Sequence, residues 1–163
     1  MRTPALFLRT ATVLACTALA ACSSSKKEDP KPTPAGMGWT VDGAAVSTTN
    51  LQSQKGSTTV SVAGTLTNGS AVTYLGLEVP NAVGTYTFGP ASAAAGTYST
   101  NTGSTTAVYF AGASGNGTVT GAGTIVVTAY TATNVQGTFT FTGINANTGA
   151  AKSITNGTFN VGL

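Results

Sequence analysis

The sequence predicts an all-β domain, an antiparallel meander that forms a β-sandwich, with a closed up-and-down barrel as the alternative. Three observations predict it. Apolar and polar residues alternate with period two, while no stretch carries an apolar stripe at i, i+3, i+4 and i+7. Polarity comes from Thr, Ser, Asn and Gly rather than Glu and Lys, and β-branched Thr suits a half-exposed pleated surface. Turn-forming pairs such as Asp42-Gly43, Asn68-Gly69 and Asn156-Gly157 recur at hairpin-like intervals.

Element by element, Trp39 to Val41 and Ala44 to Ser47 make a hairpin about Asp42-Gly43, where both residues tolerate positive φ. Thr58 to Leu66 places Val60, Val62 and Leu66 on one face and leads to a turn at Asn68-Gly69. Val72 to Val79 follows and ends at Pro80, which cannot donate to a ladder. Gly84 to Phe88 carries Tyr86 and Phe88 on one face, and Gly89 to Ser104 reads as a long loop. Thr105 to Ala111 puts Val108 and Phe110 together with Tyr109 opposite, before a turn at Gly115-Asn116-Gly117. Thr118 to Thr131 is long enough to need a bend near Gly121 and Gly123. Val135 to Thr142 aligns Val135, Phe139 and Phe141; Ile144 to Thr148 leads to a turn at Gly149. Two last strands, Ala151 to Thr155 and Thr158 to Val161, are separated by Asn156-Gly157. A Gly-Thr-aromatic-x-apolar pattern begins at Gly84, Gly137 and Gly157 and reads as one kind of strand start, with glycine at the bend.

The residues before this domain carry an address. Arg2 and Arg9 precede an apolar segment from Thr10 to Ala21, about a dozen residues where ~20 are needed to span a bilayer as a helix. Basic start, short apolar stretch and small residues before a cut make a secretory signal over residues 1–21. Leu19-Ala20-Ala21-Cys22 resembles the lipobox of bacterial lipoproteins over all four residues, which implies cleavage before Cys22 and fatty acylation, palmitate included, at that residue. Val13-Leu14-Ala15-Cys16 competes, but Leu14 is bulky where a small or β-branched residue is usual, and the apolar segment would be too short. Two or three acyl chains at ~0.8 kcal/mol per buried methylene hold a protein on a membrane essentially permanently. With Cys16 lost and Cys22 blocked, no thiol or disulfide remains to shape the fold. Residues 22–36, with Ser23 to Pro34 polar, charged and proline-rich, have almost nothing to bury and read as a flexible tether; residues 37–163 are the domain. Lys27-Glu28-Asp29 resembles the short export signal of surface-exposed Bacteroidetes lipoproteins, and reads equally as a solvated part of the tether.

Within the domain, Trp39-Thr40-Val41-Asp42-Gly43, Gly84-Thr85-Tyr86, Val135 to Phe141 and Ile154 to Val161 resemble the DUF6252-like group of small Bacteroidetes lipoproteins of unknown function. That resemblance implies an all-β fold and an envelope address. It carries no catalytic residues over to this chain.

The inventory of chemistry is thin. After residue 36 the ionisable acids and bases are Asp42, Lys55, Glu78 and Lys152, so the domain sums to zero and the formal +3 of the whole precursor comes from the residues before it. Two lysines cannot neutralise a run of phosphates, which excludes a nucleic-acid partner. No histidine is present, so Ser-His-Asp and Cys-His catalysis are excluded and zinc and copper lose their usual ligands. Lys152-Ser153 are strand neighbours pointing to opposite faces, which rules against a Ser-Lys dyad. A two-carboxylate glycosidase would need Asp42 and Glu78 in one pocket. Each has a plainer reading, Asp42 as a turn residue and Glu78 as an edge-protecting charge beside Pro80. No enzyme, cofactor or metal site is expected.

What remains is a ligand platform. Trp39, Tyr74, Tyr98, Tyr109 and Tyr130 are the candidates, because aromatic faces on a β surface stack on sugars while Asn and Thr donate hydrogen bonds; core packing is the competing reading for them. The expectation is a non-enzymatic lipoprotein lipid-anchored to the bacterial outer membrane, whose surface-displayed domain binds or scaffolds, with a glycan or envelope protein as partner. Two alternatives stand beside it: a self-associating structural or adhesive subunit, favoured by low charge at strand edges, and a barrel around a small apolar ligand.

Overall fold

A computed structural model describes residues 34–113 and 118–163 of the chain. The signal segment, most of the tether including Cys22, and the turn at Gly115-Asn116-Gly117 lie outside the described residues.

Twelve strands run β1 (Gly36–Val41), β2 (Ala44–Thr48), β3 (Leu51–Lys55), β4 (Thr59–Asn68), β5 (Ala71–Pro80), β6 (Gly84–Thr87), β7 (Ala95–Thr102), β8 (Thr105–Ala113), β9 (Val119–Thr120), β10 (Ala122–Tyr130), β11 (Asn134–Ile144) and β12 (Ala151–Gly162). The fold is all-β, as the alternation predicts. Pairing follows the order β2-β1-β12-β11-β8-β7-β5-β4-β3, with β10 and β6 branching from β11 and β9 from β8. The two ends of that path, β2 and β3, are consecutive in the chain, so the antiparallel sheet returns on itself and is barrel-like and nearly closed. The corner at Thr49-Asn50 is pinned to β4: Thr48 Oγ1 donates to Thr65 O (2.7 Å) and Thr65 N donates to Asn50 O (3.0 Å). Ser53 Oγ of β3 donates to Gly162 O of β12 (2.6 Å), drawing the two margins together. On the far side the wall is thin, a single register pair between Ile144 of β11 and Phe110 of β8.

The inward positions form one cluster that includes Met37, Trp39, Val60, Val62, Leu75, Leu77, Val79, Ile125, Val127, Val135, Ile154, Phe159 and Val161. Several of its aromatic rings need glycines. Gly137 pairs with Phe159 and Phe139 pairs with Gly157 across β11 and β12. A Cβ on Gly137 would lie 2.7 Å from Phe159 Cζ, so each ring occupies the room its glycine partner leaves. Gly137 and Gly157 are therefore strand-interior residues, and the reading of the repeated Gly-Thr-aromatic pattern as a strand start holds only for Gly84.

Two further expectations are corrected. Gly89 to Ser104 is not one loop, because Ala95–Thr102 form β7 between β5 and β8. Its core position Gly96 is bare because Phe141, from a distant strand, fills the space above it. Asn156-Gly157 is not a hairpin turn but a bulge inside the continuous β12. Asn156 takes φ 50°, and the ladders to β1 and β11 both shift register there. The extra residue flips the alternation, which lets Ile154 face inward before the bulge and Phe159 and Val161 face inward after it. Thr118 to Thr131 does break where the glycines predicted, with Gly121 at φ 67° between β9 and β10. The strand β3 carries no apolar alternation and was not anticipated.

Candidate functional site

The outer side of the β3-β4-β5-β7-β8 wall carries the site. Its register builds two transverse rows. One runs Gln52, Ala63, Gly76, Thr97, Phe110 from β3 to β8; the next runs Gln54, Ser61, Glu78, Ala95. Between them lies a groove of about 400 Å³, with Tyr74 also in its lining. That volume is within the range of small-ligand sites.

Gly76 sets the floor. With no side chain there, the Tyr74 ring folds down along its own strand, its Cε1 and Cζ 2.9 and 3.0 Å from where a Cβ would stand. Tyr74 is nonetheless 37% exposed, which leaves ring surface to solvent. Beside it the half-buried Glu78 carboxylate is held by hydroxyls: Ser61 Oγ donates to Oε1 at 2.6 Å and Thr59 Oγ1 to Oε2 at 3.3 Å. Among the described residues the one ion pair joins Lys152 and Asp42, so Glu78 has no cationic partner there. Its charge is oriented by neutral donors, which leaves acceptor capacity toward the groove.

The five aromatic candidates do not form one platform. Strand alternation turns Trp39 and Tyr98 into the core, at 2% and 5% exposure, where no ligand reaches their faces. Among the described residues Trp39 Nε1 is a buried donor without a partner. Tyr109 is half-buried, 6.2 Å from the Tyr98 ring, with Lys152 Nζ 5.7 Å from its centroid. Tyr130 is half-buried on another part of the molecule under Lys55 Nζ at 5.6 Å. Of the five, Tyr74 alone lies in the groove.

The two carboxylates also part. Asp42 has φ 51° in the β1–β2 turn, as its turn reading predicts, and accepts from Lys152 Nζ at 2.7 Å. It does not line the Glu78 groove. The edge-protecting role expected for Glu78 is corrected, since β5 is paired on both sides, by β4 and β7. The Asp42 hydrogen bond raises the Lys152 pKa, while burial raises that of the Tyr98 hydroxyl, partly opposed by the nearby Lys152 charge. No cluster of three His, Cys, Asp or Glu exists among the described residues.

A larger cleft of about 960 Å³ opens where the chain enters β1, lined by residues such as Gly36, Gly38, Thr138, Thr158 and Asn160. Among the described residues its lining has no ionisable side chain, and its one aromatic, Phe159, is 2% exposed. The smaller groove has the richer chemistry. Gln52, Gln54, Ser61, Thr97 and Phe110 were not singled out from the sequence, because only strand register brings them together.

A family model described as a domain of unknown function, DUF6252, matches residues 40–161. No curated protein and no solved structure matches the chain.

Proposed function

We propose that this chain, which belongs to the DUF6252 family, is a non-enzymatic lipoprotein of the bacterial outer membrane whose β domain is displayed on a tether and binds a glycan or an envelope protein through the groove on its β3-β4-β5-β7-β8 wall. The observation that carries the binding role is the convergence of an exposed tyrosine ring, a carboxylate held by hydroxyls and two glutamines on one paired wall. The separation of Asp42 from Glu78 supports a binding rather than a hydrolytic use of that carboxylate. Leu19-Ala20-Ala21-Cys22 and the polar run from Ser23 to Pro34 support the anchor and spacer.

The anchor is tested in a bacterial host fed an alkyne analogue of palmitate. Wild-type protein is expected to carry the label and sediment with membranes, and Cys22→Ala to lose both. An unlabelled wild-type product rejects the lipoprotein reading. Protease shaving of intact cells then distinguishes a surface-facing domain, which is cut, from a periplasmic one.

One observation favours a second reading, a self-associating subunit. Among the described residues strand β6 pairs only with β10, and its Gly84-Thr85-Tyr86-Thr87 edge carries no charge to discourage another strand. Sedimentation equilibrium discriminates: a monomer at high concentration rejects assembly.

A further inference from the structure

We infer that the groove over Gly76 is a subsite for a neutral, extended glycan chain, a β-linked pyranose polymer rather than an anionic ligand or calcium. This rests on the binding role proposed above and names the ligand class of that site.

Four features of the groove point to it. First, the Tyr74 ring lies along the wall instead of standing out from it, because Gly76 offers no side chain to prop it up. Part of that ring stays open to solvent, and the C–H-bearing face of a pyranose complements an exposed aromatic surface. Second, among the described residues the lining contains no Lys or Arg, and the one charged side chain an anionic ligand would meet there is Glu78. Third, Glu78 is preoriented by Ser61 and Thr59, and an ionised acceptor makes stronger hydrogen bonds to hydroxyl donors than a neutral one. A lone carboxylate is too few ligands for calcium, which takes six to eight oxygens. Fourth, Gln52 and Gln54 each bring both donors and an acceptor, matching the dual character of sugar hydroxyls.

Shape adds direction. The row from Gln52 to Phe110 crosses five strands, about 19 Å at ~4.8 Å per strand, and gives an extended track across the wall. Each of the central strands β4, β5 and β7 is paired on both sides, so no backbone edge lies open over Gly76, and only β3 at the margin of the groove ends the path. A β-1,4-linked glucose chain, whose equatorial bonds keep successive rings extended, is long enough to follow that row. An α-1,4-linked chain curls away from it.

The test is calorimetric titration of the full-length protein, purified in detergent, with cellohexaose and with maltohexaose. Saturable binding of cellohexaose is expected, at least tenfold tighter than maltohexaose. Tyr74→Ala is expected to weaken it at least tenfold and Glu78→Gln three- to tenfold, while Tyr74→Phe, which keeps the ring, stays within twofold. Tyr130→Phe, outside the groove, is expected to bind as wild type. All three groove substitutions lie on the outer face, and Glu78→Gln and Tyr74→Phe preserve shape, so the comparison survives if Tyr74→Ala fails to fold. The inference is overturned if cellohexaose does not bind, if maltohexaose binds equally well, if Glu78→Gln binds as tightly as wild type, or if calcium alone saturates the groove through Glu78. Lipid labelling at Cys22 is read without any sugar. A labelled protein that ignores cellohexaose therefore sinks this inference alone, and an unlabelled one that binds it sinks only the anchor.

Discussion

Replacing Gly96 by Ala tests whether the aromatic core depends on missing side chains. The new methyl would sit 2.8 Å from both Cδ1 and Cε1 of Phe141. Carbon atoms pack at about 3.5–4.0 Å, so something must move by several tenths of an ångström or more. The ring has little freedom to do so. Phe141 is 2% exposed, and the Phe88 and Phe139 rings stand 6.2 and 6.3 Å away on other sides. Overpacking of this kind costs about 1–3 kcal/mol. Reduced freedom of the unfolded chain offsets ~0.4–1 kcal/mol, since Gly96 shows no positive φ that would strain an alanine. The net expectation is a loss of about 1–2 kcal/mol. Phe141→Leu alone should also destabilise, by less than the ~3–5 kcal/mol of a full truncation to alanine. Together the two changes should be milder than their sum by roughly 1–2 kcal/mol, because leucine vacates the space the methyl needs. Gly89→Ala is the control: nothing lies within 4 Å of its added Cβ, and it should be neutral or slightly stabilising. Urea unfolding followed by far-ultraviolet circular dichroism reads the midpoints at constant slope. A Gly96→Ala protein as stable as wild type, or a double variant that is simply additive, would refute the reasoning.

Further outcomes follow from the same structure. At Asn156, held at φ 50°, glycine should be accepted while alanine costs about 1 kcal/mol; deleting the residue should prevent folding by turning Phe159 and Val161 outward, read by loss of the cooperative urea transition. Stability should also fail on the alkaline side. Lys152 and Tyr98 both have folded pKa values raised above their ordinary 10.5 and 10.0. Their contribution is fully present below those ordinary values and is lost as pH rises through the raised ones. The urea midpoint should therefore fall above about pH 10, and Tyr98→Phe should make that fall shallower; an identical alkaline slope in the variant contradicts the burial argument. Asp42 is largely exposed and Lys152 half-buried, so solvent screens the pair, and Lys152→Met should change the neutral-pH midpoint only slightly, by at most ~1 kcal/mol, and less at high salt.

Local signals in the chain were readable where one segment alone decides the structure. Asp42-Gly43 makes its turn with both residues at positive φ, and the alternation of Val135, Phe139 and Phe141 orients β11 correctly. Tertiary partners decide the rest. β7 hides in the sequence because its inward Gly96 is covered by Phe141 from elsewhere, so no apolar alternation is needed there. Asn-Gly serves a two-residue hairpin and a bulge equally well, and only the ladders on both sides of β12 tell which it is. Pro80 suggested an edge strand, yet it sits at the strand's end opposite Thr59, and β5 is interior. The groove was the least legible part. Gln52 and Phe110 meet on one wall through four successive registers, and none of those pairings is written in either residue's neighbourhood.

The position of β1 has a mechanical consequence for a domain held by its N-terminal side, as proposed above. Tension from the membrane would enter at Gly36 and pass directly into a strand gripped by β2 along one margin and β12 along the other, with five register pairs on each. Antiparallel hydrogen bonds lie perpendicular to the strand, so a tug along its axis strains both ladders at once instead of peeling them rung by rung. Drag on whatever the far wall holds would thus be resisted in shear, and β1 would be withdrawn only when both rows gave way together.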